Sequence, residues 1–381
     1  IPSKDLDIYK TSEVKVLERA VHECEGQYIQ VDTGGMGYVI PSGRHSHQQI
    51  LILPENKKSA SQHDLVKVKI TIHPTEKTPA IGVIKEVLPQ KSLVDILINQ
   101  LESNFPQPEP WNKKALKGVE KQQSASKKWR WAKKVLSDDS ARRDLRKLPF
   151  MTIDGADARD FDDAIYCHEK PAGGWELYVA IADVSYFVDK DDPLDIQAKD
   201  RATSIYFPGR VIPMLPEGLS NDLCSLVPGE DRLTLVCQMQ VSPSGELETY
   251  EFYPAIIHSQ ARLTYMQAWK HISSGKSYKD KQIDTSLRHS YALHRKAMQA
   301  RIRSGALTLE LPEEELMLNN HGEIDKINSL ERNGAHVMIE SCMLLANISA
   351  ARFLEENKIP GLYRVHEPPK DEKRNDLILF L

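Results

Sequence analysis

The sequence of 381 residues is long enough for two to three domains, and its 40% hydrophobic and 27% charged residues are ordinary for a globular protein with sizeable cores. Its net charge of −4 excludes no class of partner until the distribution of charge is considered. No apolar run approaches the ~18 residues of a membrane span, and the first residues lack the apolar segment of a signal peptide, so we expect no membrane association. Five scattered cysteines without a C-x-x-C pair argue against a disulfide framework or a zinc site and favour the cytoplasm.

Residues 11–90 contain five short strand-like segments separated by turns, and we predict that residues 1–90 form one domain. The clearest alternation is in "DLVKVKITIHP", where one face carries Val66, Val68, Ile70 and Ile72 and the other carries Lys67, Lys69 and Thr71. Five short strands in about 80 residues predict an all-β barrel of the OB or cold-shock type. Such barrels often bind single-stranded nucleic acid, although small barrels serve many roles.

Residues 91–147 are predicted to connect two domains, with a helix or strand at 92–101, a proline-rich break at 105–111 and then a basic stretch. From Trp111 to Lys147, nine Lys and four Arg outnumber three Asp and one Glu, which gives a net charge of +9. Trp111, Trp129 and Trp131 lie inside this stretch. Cationic side chains bind phosphates and aromatic rings stack on bases, which favours a contact with nucleic acid. The alternative interpretation is a solvated, amphipathic helical linker.

Residues 148–381 have the pattern of an α+β domain without strict βαβ alternation. Strand-like segments dominate to about residue 260, and "EKPAGGW" is typical of the turn of a hairpin. Two long helices are predicted at 283–303 and 330–356, with short strands near 306–312 and 315–324. The chain is therefore predicted to be multidomain, with a barrel followed by an α+β domain.

The segment "TIDGADARDFDDAIY" carries five aspartates between apolar flanks, at positions 154, 157, 160, 162 and 163. Carboxylates that repel one another are tolerated together when a divalent cation neutralises them, and an all-oxygen set suits Mg²⁺ or Mn²⁺. On an extended chain Asp160 and Asp162 point the same way, roughly 6.5–7 Å apart at the backbone. Their side chains could converge on ions about 3.5–4 Å apart, the separation of a two-metal phosphoryl-transfer site. Asp163 would face the other way and needs a bulge or bend to join them.

Two other interpretations of the acidic segment compete with a magnesium site. An EF-hand loop that begins at Asp160 would need an acid where Ala164 stands and a glycine where Ile165 stands, so that motif is excluded. A purely structural role, with the acids capping turns and pairing with Arg159, stays open from spacing alone. Because the chain also lacks a G-x-S-x-G or Walker motif, metal-assisted hydrolysis of a phosphodiester suits the set best.

Five further segments carry a resemblance to a known family: "TIDGADARDFDDAIY", "YVAIADVSYFV", "RATSIYFPGRVIPMLPEGLSNDLCSL", "SQARLTY" and "MIESCMLLANISAARF". They resemble the ribonuclease II superfamily of RNB exoribonucleases, and within it the ribonuclease R branch most. The resemblance spans most of residues 148–370, and the N-terminal barrel is similar to the second cold-shock domain of that family. It implies a Mg²⁺-dependent enzyme that degrades single-stranded RNA processively from the 3′ end to nucleoside 5′-monophosphates, as a cytoplasmic monomer.

The resemblance also implies roles for individual residues. Asp154, Asp160, Asp162 and Asp163 correspond to the catalytic, metal-binding aspartates, with Asp162 the most critical, whereas Asp157 has no fixed counterpart. Tyr206 corresponds to the aromatic residue that packs on the 3′-terminal nucleotide. Tyr265 and Glu340 correspond to residues near the ribose that distinguish RNA from DNA through the 2′-hydroxyl.

The helical pattern around Glu340 gives this assignment some independent support. Met338, Cys342, Leu345 and Phe353 follow the spacing of a buried stripe that is interrupted only by the small Ser349. Asn333, Glu340 and Asn347 recur every seven residues on one polar line. That line faces either a wet cavity or the solvent, and the pattern does not decide between them.

The sequence also departs from the family pattern. It contains no Ser-Pro-Ile-Arg-Arg-type segment, whose arginine contacts the scissile phosphate in the family, nor counterparts of the first cold-shock domain and the C-terminal OB domain. We therefore expect an RNB domain truncated at its C-terminal end, which binds RNA but degrades it poorly. The rival hypotheses are an RNA-binding regulator with a catalytically silent RNB domain and a metal-dependent phosphatase; the presence of all four aspartates argues against the first.

Overall fold

The computed structural model describes residues 22–32, 34–41, 49–75, 78–88, 110–128, 130–207, 210–306, 313–319, 324–330, 332–363, 365 and 367–380. The first strand-like segment, at 12–21, and the segment at 92–101 lie outside the described residues, as does the predicted strand at 306–312 apart from Ala306. Two compact units are formed. The first consists of Ile1–Glu109, Ile205–Ile212 and Glu313–Leu330, and the second of Pro110–Ser204, Pro213–Pro312 and Glu331–Leu381.

The described residues contain the following strands and α-helices, numbered in chain order. The strands are β1 (Glu23–Gln30), β2 (Gly37–Pro41), β3 (Ile50–Ile52), β4 (Leu65–Ile72), β5 (Ala80–Val87), β6 (Arg143–Asp144), β7 (Met151–Asp154), β8 (Asp163–Glu169), β9 (Trp175–Ala182), β10 (Ile205–Phe207), β11 (Arg210–Ile212), β12 (Asp231–Val241), β13 (Leu247–His258), β14 (Ala261–Thr264), β15 (Glu313–Leu318) and β16 (Ile324–Leu330). The helices are α1 (Lys113–Ser126), α2 (Trp131–Asp138), α3 (Pro193–Arg201), α4 (Tyr265–Ser274), α5 (Lys281–Arg303), α6 (Gly334–Glu356) and α7 (Asp371–Phe380).

The first unit contains the predicted barrel, which is closed with the strand order β1-β2-β3-β5-β4. Val66 and Val68 of β4 are fully buried in its core, as the alternation predicts. The alternation ends beyond a register shift between Ile70 and Ile72, and Ile72 is 53% exposed. Two antiparallel hairpins, β10–β11 and β15–β16, belong to the same unit. The expectation of an OB-type barrel is confirmed.

The second unit is built on a seven-stranded sheet with the order β14-β7-β8-β9-β12-β13-β6. The hairpin predicted at "EKPAGGW" joins β8 to β9. Both faces of the sheet are packed because successive side chains alternate between them: Leu177 and Val179 of β9 enter the first core cluster, and Tyr178 and Ala180 enter the second. Helices α4, α5 and α6 complete the first core cluster, and α1, α2 and α3 complete the second.

Helix α6 shows why length and apolarity do not by themselves define a membrane span. It is the one helix in the described part of the chain that is long and apolar enough to cross a membrane. Its Met338 and Cys342 side chains are fully buried in the first core cluster, and Leu345 is 8% exposed there. We therefore interpret α6 as a core helix, and the predicted stripe is confirmed except at Phe353, which is 38% exposed.

The basic stretch forms α1 and α2 and then enters the sheet. Its last arginines are neutralised by ion pairs: Arg142 with Asp139 and Asp183, Arg143 with Glu251, and Arg146 with Asp144 and Asp231. Trp111 lies under the Arg201 guanidinium at 3.8 Å, and Trp131 packs against the second core cluster. Trp129 lies outside the described residues. The two described tryptophans therefore act in packing, and the exposed lysines of α1 and α2 remain as candidates for phosphate contact.

The boundaries proposed at residues 90 and 147 stay predictions, because Pro110–Lys147 falls in the second unit.

Candidate active site

Asp154 lies at the carboxyl end of β7, beside the parallel strand β14, where it is paired in register with Thr264. Because parallel strands end at the same edge of a sheet, Asp154 and the next residue after Thr264, Tyr265, are brought together from distant parts of the chain. The Oδ2 atom of Asp154 is buried and accepts no hydrogen bond. A buried carboxylate oxygen without a donor is costly unless the group is protonated or meets a cation.

The loop between Asp154 and Asp162 is held by two residues that the sequence patterns did not identify. Nη2 of Arg262 donates to the carbonyls of Gly155 and Ala156 at 2.7 and 2.8 Å. Oγ of Ser225 donates to the Arg159 carbonyl at 2.8 Å and accepts from the amide of Phe161 at 3.0 Å. Arg262 and Ser225 stand in the quoted segments "SQARLTY" and "SNDLCSL", and that was the only sequence signal for them. These bonds fix the path of the loop that carries Asp160.

Asp163 is the first residue of β8, and Asp162 immediately precedes the strand. The Ala182 amide donates to the Asp162 carbonyl at 2.9 Å, and the β8–β9 register runs without a shift from Asp163 onward. Asp163 therefore shares the side of Ile165 and Cys167, in the first core cluster, and Asp162 leaves the strand on the other side. The bulge that would place both side chains on one face is absent from β8.

The four aspartates are nevertheless electrostatically coupled. Burial and then the charge of Asp163 raise the pKa of Asp154 to about 7, against the lowering effect of Arg262. Burial and the neighbouring Asp162 raise the pKa of Asp163 to about 6. Burial and then Asp160 raise the pKa of Asp162. The site therefore holds more negative charge than its protein surroundings compensate.

These residues fit a divalent cation by two observations: the unpaired buried oxygen of Asp154 and the mutual repulsion of the carboxylates. Across the described ranges, no group of three or more His, Cys, Asp or Glu side chains is placed so that it could hold a metal ion together. Mg²⁺ does not require one, since it keeps several waters and is commonly bound through one or two carboxylates. The ligand assignment to Asp154, Asp160, Asp162 and Asp163 stays a prediction.

Tyr265, the first residue of α4, lies next to this acidic group. Burial raises its pKa, and the charges of Asp154 and Asp163 raise it further, so the hydroxyl stays protonated and can donate a hydrogen bond. Its ring stacks on His336 with centroids 4.0 Å apart and an interplanar angle of 17°. The family resemblance identified Tyr265, and the sequence analysis did not single out His336.

Glu340, the second predicted ribose contact, is half-exposed on α6 and is bound by two arginines. Its Oε1 lies 3.6 Å from Nη1 of Arg301, and its Oε2 is hydrogen-bonded to Nη2 of Arg332. The predicted polar line is present in part, because Asn333 caps α6 while Asn347 is exposed. The proposed contact between Glu340 and a ribose stays a prediction.

Tyr206 lies in the first unit, on the β10–β11 hairpin, where it is paired in register with Val211. The residue is 66% exposed. An exposed ring on a short hairpin is compatible with stacking on a base, and its assignment to the 3′-terminal nucleotide stays a prediction.

Comparisons with known proteins agree with this architecture. The Cold shock domain family matches residues 38–107, and the RNB domain family matches residues 142–381. Ribonuclease R of Escherichia coli (strain K12) is 43% identical over 367 residues, which is 94% of this chain and 43% of that protein. The chain thus spans less than half the length of that curated relative.

Two solved structures are similar over almost the whole chain. Mycoplasma genitalium RNase R in complex with ribose-methylated single-stranded RNA has a TM-score of 0.79 at 29% identity, covering 96% of this chain and 56% of that one. The same protein in complex with double-stranded RNA has a TM-score of 0.78 at 29% identity, covering 97% and 64%. With the family match extending over more than half of its residues, the chain belongs to the RNB domain family.

Proposed function

We propose that the protein is a 3′-to-5′ exoribonuclease that hydrolyses single-stranded RNA to nucleoside 5′-monophosphates with Mg²⁺, and that it acts in RNA degradation. The observation that carries the proposal is the group of four coupled aspartates at the ends of β7 and β8, in which a buried carboxylate oxygen of Asp154 has no donor. Membership of the RNB family and the likeness to the ribonuclease R relatives support it.

The chemistry follows from the charge and protonation of these residues. When bound, Mg²⁺ supplies a more acidic water and neutralises charge on the phosphate oxygens. Asp154, Asp160, Asp162 and Asp163 would hold it, and Mn²⁺ could replace it. Asp154, with a pKa of about 7, is poised to lose its proton near neutral pH as a cation arrives. The bonds from Arg262 and Ser225 hold the aspartate loop before substrate binds.

The proposed partner is single-stranded RNA, and the protein is proposed to act as a monomer. The closed barrel of the first unit belongs to a class that often binds single strands, and the exposed lysines of α1 and α2 suit a phosphate backbone. Tyr206 and Tyr265 would contact the last nucleotide. The five cysteines are free, which supports a reducing cytoplasm as the location.

Asp162→Asn in the full-length protein is the direct test. Incubation of 5′-labelled single-stranded RNA with Mg²⁺ should give a ladder of shortening products with the wild type. The variant should release nucleoside 5′-monophosphates at least about 10²–10³-fold more slowly, because it loses a proposed ligand of the cation that stabilises the transition state. Binding of RNA in a gel shift should persist.

Glu176→Gln is the matched control, since it neutralises another carboxylate of the same sheet and should leave the rate within about twofold. Normal degradation by Asp162→Asn would show that the site is wrongly assigned. Intact RNA with a gel shift for the wild type would instead favour the rival function, an RNA-binding regulator with a silent RNB domain.

A further inference from the structure

The stacked pair formed by Tyr265 and His336 is the closest ring pair among the described residues. The centroids lie 4.0 Å apart and the planes differ by 17°, so the rings overlap almost flat. Such a contact restricts the rotation of a tyrosine about its first side-chain torsion, because any other rotamer loses the stack. The orientation of the Tyr265 hydroxyl therefore depends on His336.

His336 is itself fixed by the start of α6. The backbone amide of Asn333 donates to Nδ1 of His336 at 3.2 Å, and Oδ1 of Asn333 accepts from the amide of Ala335 at 2.9 Å. In this capping box the histidine takes the place that Glu or Gln usually holds. Since Nδ1 accepts a hydrogen bond, the proton of the neutral ring is on Nε2, and the ring cannot turn without losing the cap.

Helices α4 and α6 are also locked together one turn away from the stack. A Cβ atom at Gly334 would lie 2.3 Å from Cζ3 of Trp269, so only glycine allows α6 to approach α4 this closely. Trp269 lies four residues after Tyr265 on α4, on the same side of the helix. The contact at Gly334 therefore holds the two helix starts at the separation that the Tyr265–His336 stack needs.

The Tyr265 ring, held in this way, lies next to the acidic group. Tyr265 follows Thr264, which is paired in register with Asp154, so Tyr265 lies beside the acidic group. The charges of Asp154 and Asp163 contribute, after burial, to the raised pKa of its hydroxyl. His336 covers one face of the Tyr265 ring. A fixed donor at this edge can distinguish a sugar with a 2′-hydroxyl from one without it.

We infer that His336 is a positioning residue that sets the preference for ribose over deoxyribose by holding the Tyr265 ring against the capped start of α6. This inference rests on the proposed function, because it requires that the 3′ end of an RNA reaches the aspartates. His336 touches no substrate, and its effect passes through Tyr265. Removing the imidazole should therefore weaken discrimination between the sugars more than it weakens RNA binding as such.

The experiment measures binding to the full chain by fluorescence anisotropy in EDTA, so that no turnover is needed. The probes are a 5′-labelled single-stranded RNA and the same oligomer with deoxyribose at its 3′-terminal nucleotides. The readout is the dissociation constant for the oligomer with deoxyribose divided by the dissociation constant for the RNA. His336→Ala should lower this ratio by about 2- to 10-fold, the factor expected from the loss of one aromatic pair.

Four further variants keep the inference open to refutation. His336→Phe retains a flat ring and should restore most of the preference, whereas Tyr265→Ala combined with His336→Ala should lose no more than Tyr265→Ala alone. His168→Ala is the matched control: it removes another His–Tyr stack, on Tyr166 with centroids 5.5 Å apart, and should leave the ratio unchanged. Thermal unfolding of each variant shows that it is folded.

An unchanged ratio in folded His336→Ala, or equal losses in His336→Ala and His168→Ala, would overturn the inference while leaving the nuclease proposal intact. A wild type that binds RNA without any preference for ribose would also overturn it. A wild type that binds neither oligomer would contradict the proposed function itself.

Discussion

Two carboxylates of the same sheet, Glu176 in β9 and Asp154 at the end of β7, have opposite surroundings. The side chain of Glu176 is 16% exposed, and its oxygens are surrounded by polar groups of neighbouring side chains: Tyr178 Oη at 3.1 Å, Gln238 Nε2 at 2.8 Å, His168 Nε2 at 3.2 Å and Gln240 Nε2. Asp154 instead has a buried Oδ2 without a donor and three acidic neighbours.

The difference separates an acid that serves the fold from one that is available for chemistry. Around Glu176 the protein supplies the hydrogen bonds that water supplied in the unfolded chain, so the charge is accommodated. Around Asp154 it withholds them, and burial and repulsion raise the pKa to about 7. Strongly raised carboxyl pKa values of this kind are concentrated at functional sites. Substitutions at the two positions should accordingly change stability in opposite directions.

Glu176→Ala should have the largest effect on stability. The change leaves the donors of Tyr178 and Gln238 without their acceptor, and we expect the free energy of unfolding to fall by about 2–4 kcal/mol. Urea unfolding followed by tryptophan fluorescence measures this in the second unit alone, because all five tryptophans belong to it. The isosteric Glu176→Gln should cost about 1 kcal/mol. A stability unchanged in Glu176→Ala would show that the bonds around Glu176 do not support the fold.

Asp154→Asn should have the opposite sign. The pKa is raised from 3.8 to about 7, so the folded protein keeps this proton where the unfolded chain has lost it. Stability from this group is therefore highest at low pH, falls as pH rises from about 4 to about 7, and stays low above that. Asparagine cannot ionise, and at about pH 8 it should raise the free energy of unfolding of the metal-free protein by about 1–3 kcal/mol.

The pH dependence separates this explanation from an unrelated gain in stability. At about pH 5 the difference between Asp154→Asn and wild type should shrink to about half or less, because most of the loss of stability occurs between about pH 5 and about pH 7. Asp157→Asn is the matched control, because Asp157 is exposed in the same loop and should change stability by less than about 0.5 kcal/mol at either pH. Destabilisation by Asp154→Asn at pH 8 would contradict the repulsion that we assign to the site.

The comparison also shows what the sequence could predict. The barrel, the β8–β9 hairpin, the two long helices and the aspartate segment follow from periodicity, turn residues and spacing, which are local properties of the chain. Alternation likewise predicted that Asp162 and Asp163 leave β8 on opposite sides. The residues around Asp154 and Glu176 in the sequence, however, do not reveal which of the two carboxylates has hydrogen-bond donors for its oxygens.

The missing information lies in contacts between residues that are distant along the chain. Arg262 holds the Gly155 carbonyl, and Gln238 reaches Glu176, across separations of 107 and 62 residues. Trp111, which suggested base stacking by its basic context, is covered by Arg201 instead. Only the register of the sheet and the packing of the helices create these pairs, so no local pattern encodes them.

Addition of Mg²⁺ should have the smallest effect on stability, and it tests directly whether Asp154 binds a cation. At about pH 8 both Asp154 and Asp163, with pKa values of about 7 and 6, are ionised and can bind the ion. At tenfold excess over its dissociation constant Mg²⁺ should stabilise the second unit by about 1.4 kcal/mol, seen as a rise in the tryptophan-monitored Tm. The rise should be lost at about pH 5, where protons compete for the same oxygens, and in Asp154→Asn at either pH. It should persist in Glu176→Gln, and an equal rise with NaCl at matched ionic strength would show general screening rather than binding at these aspartates.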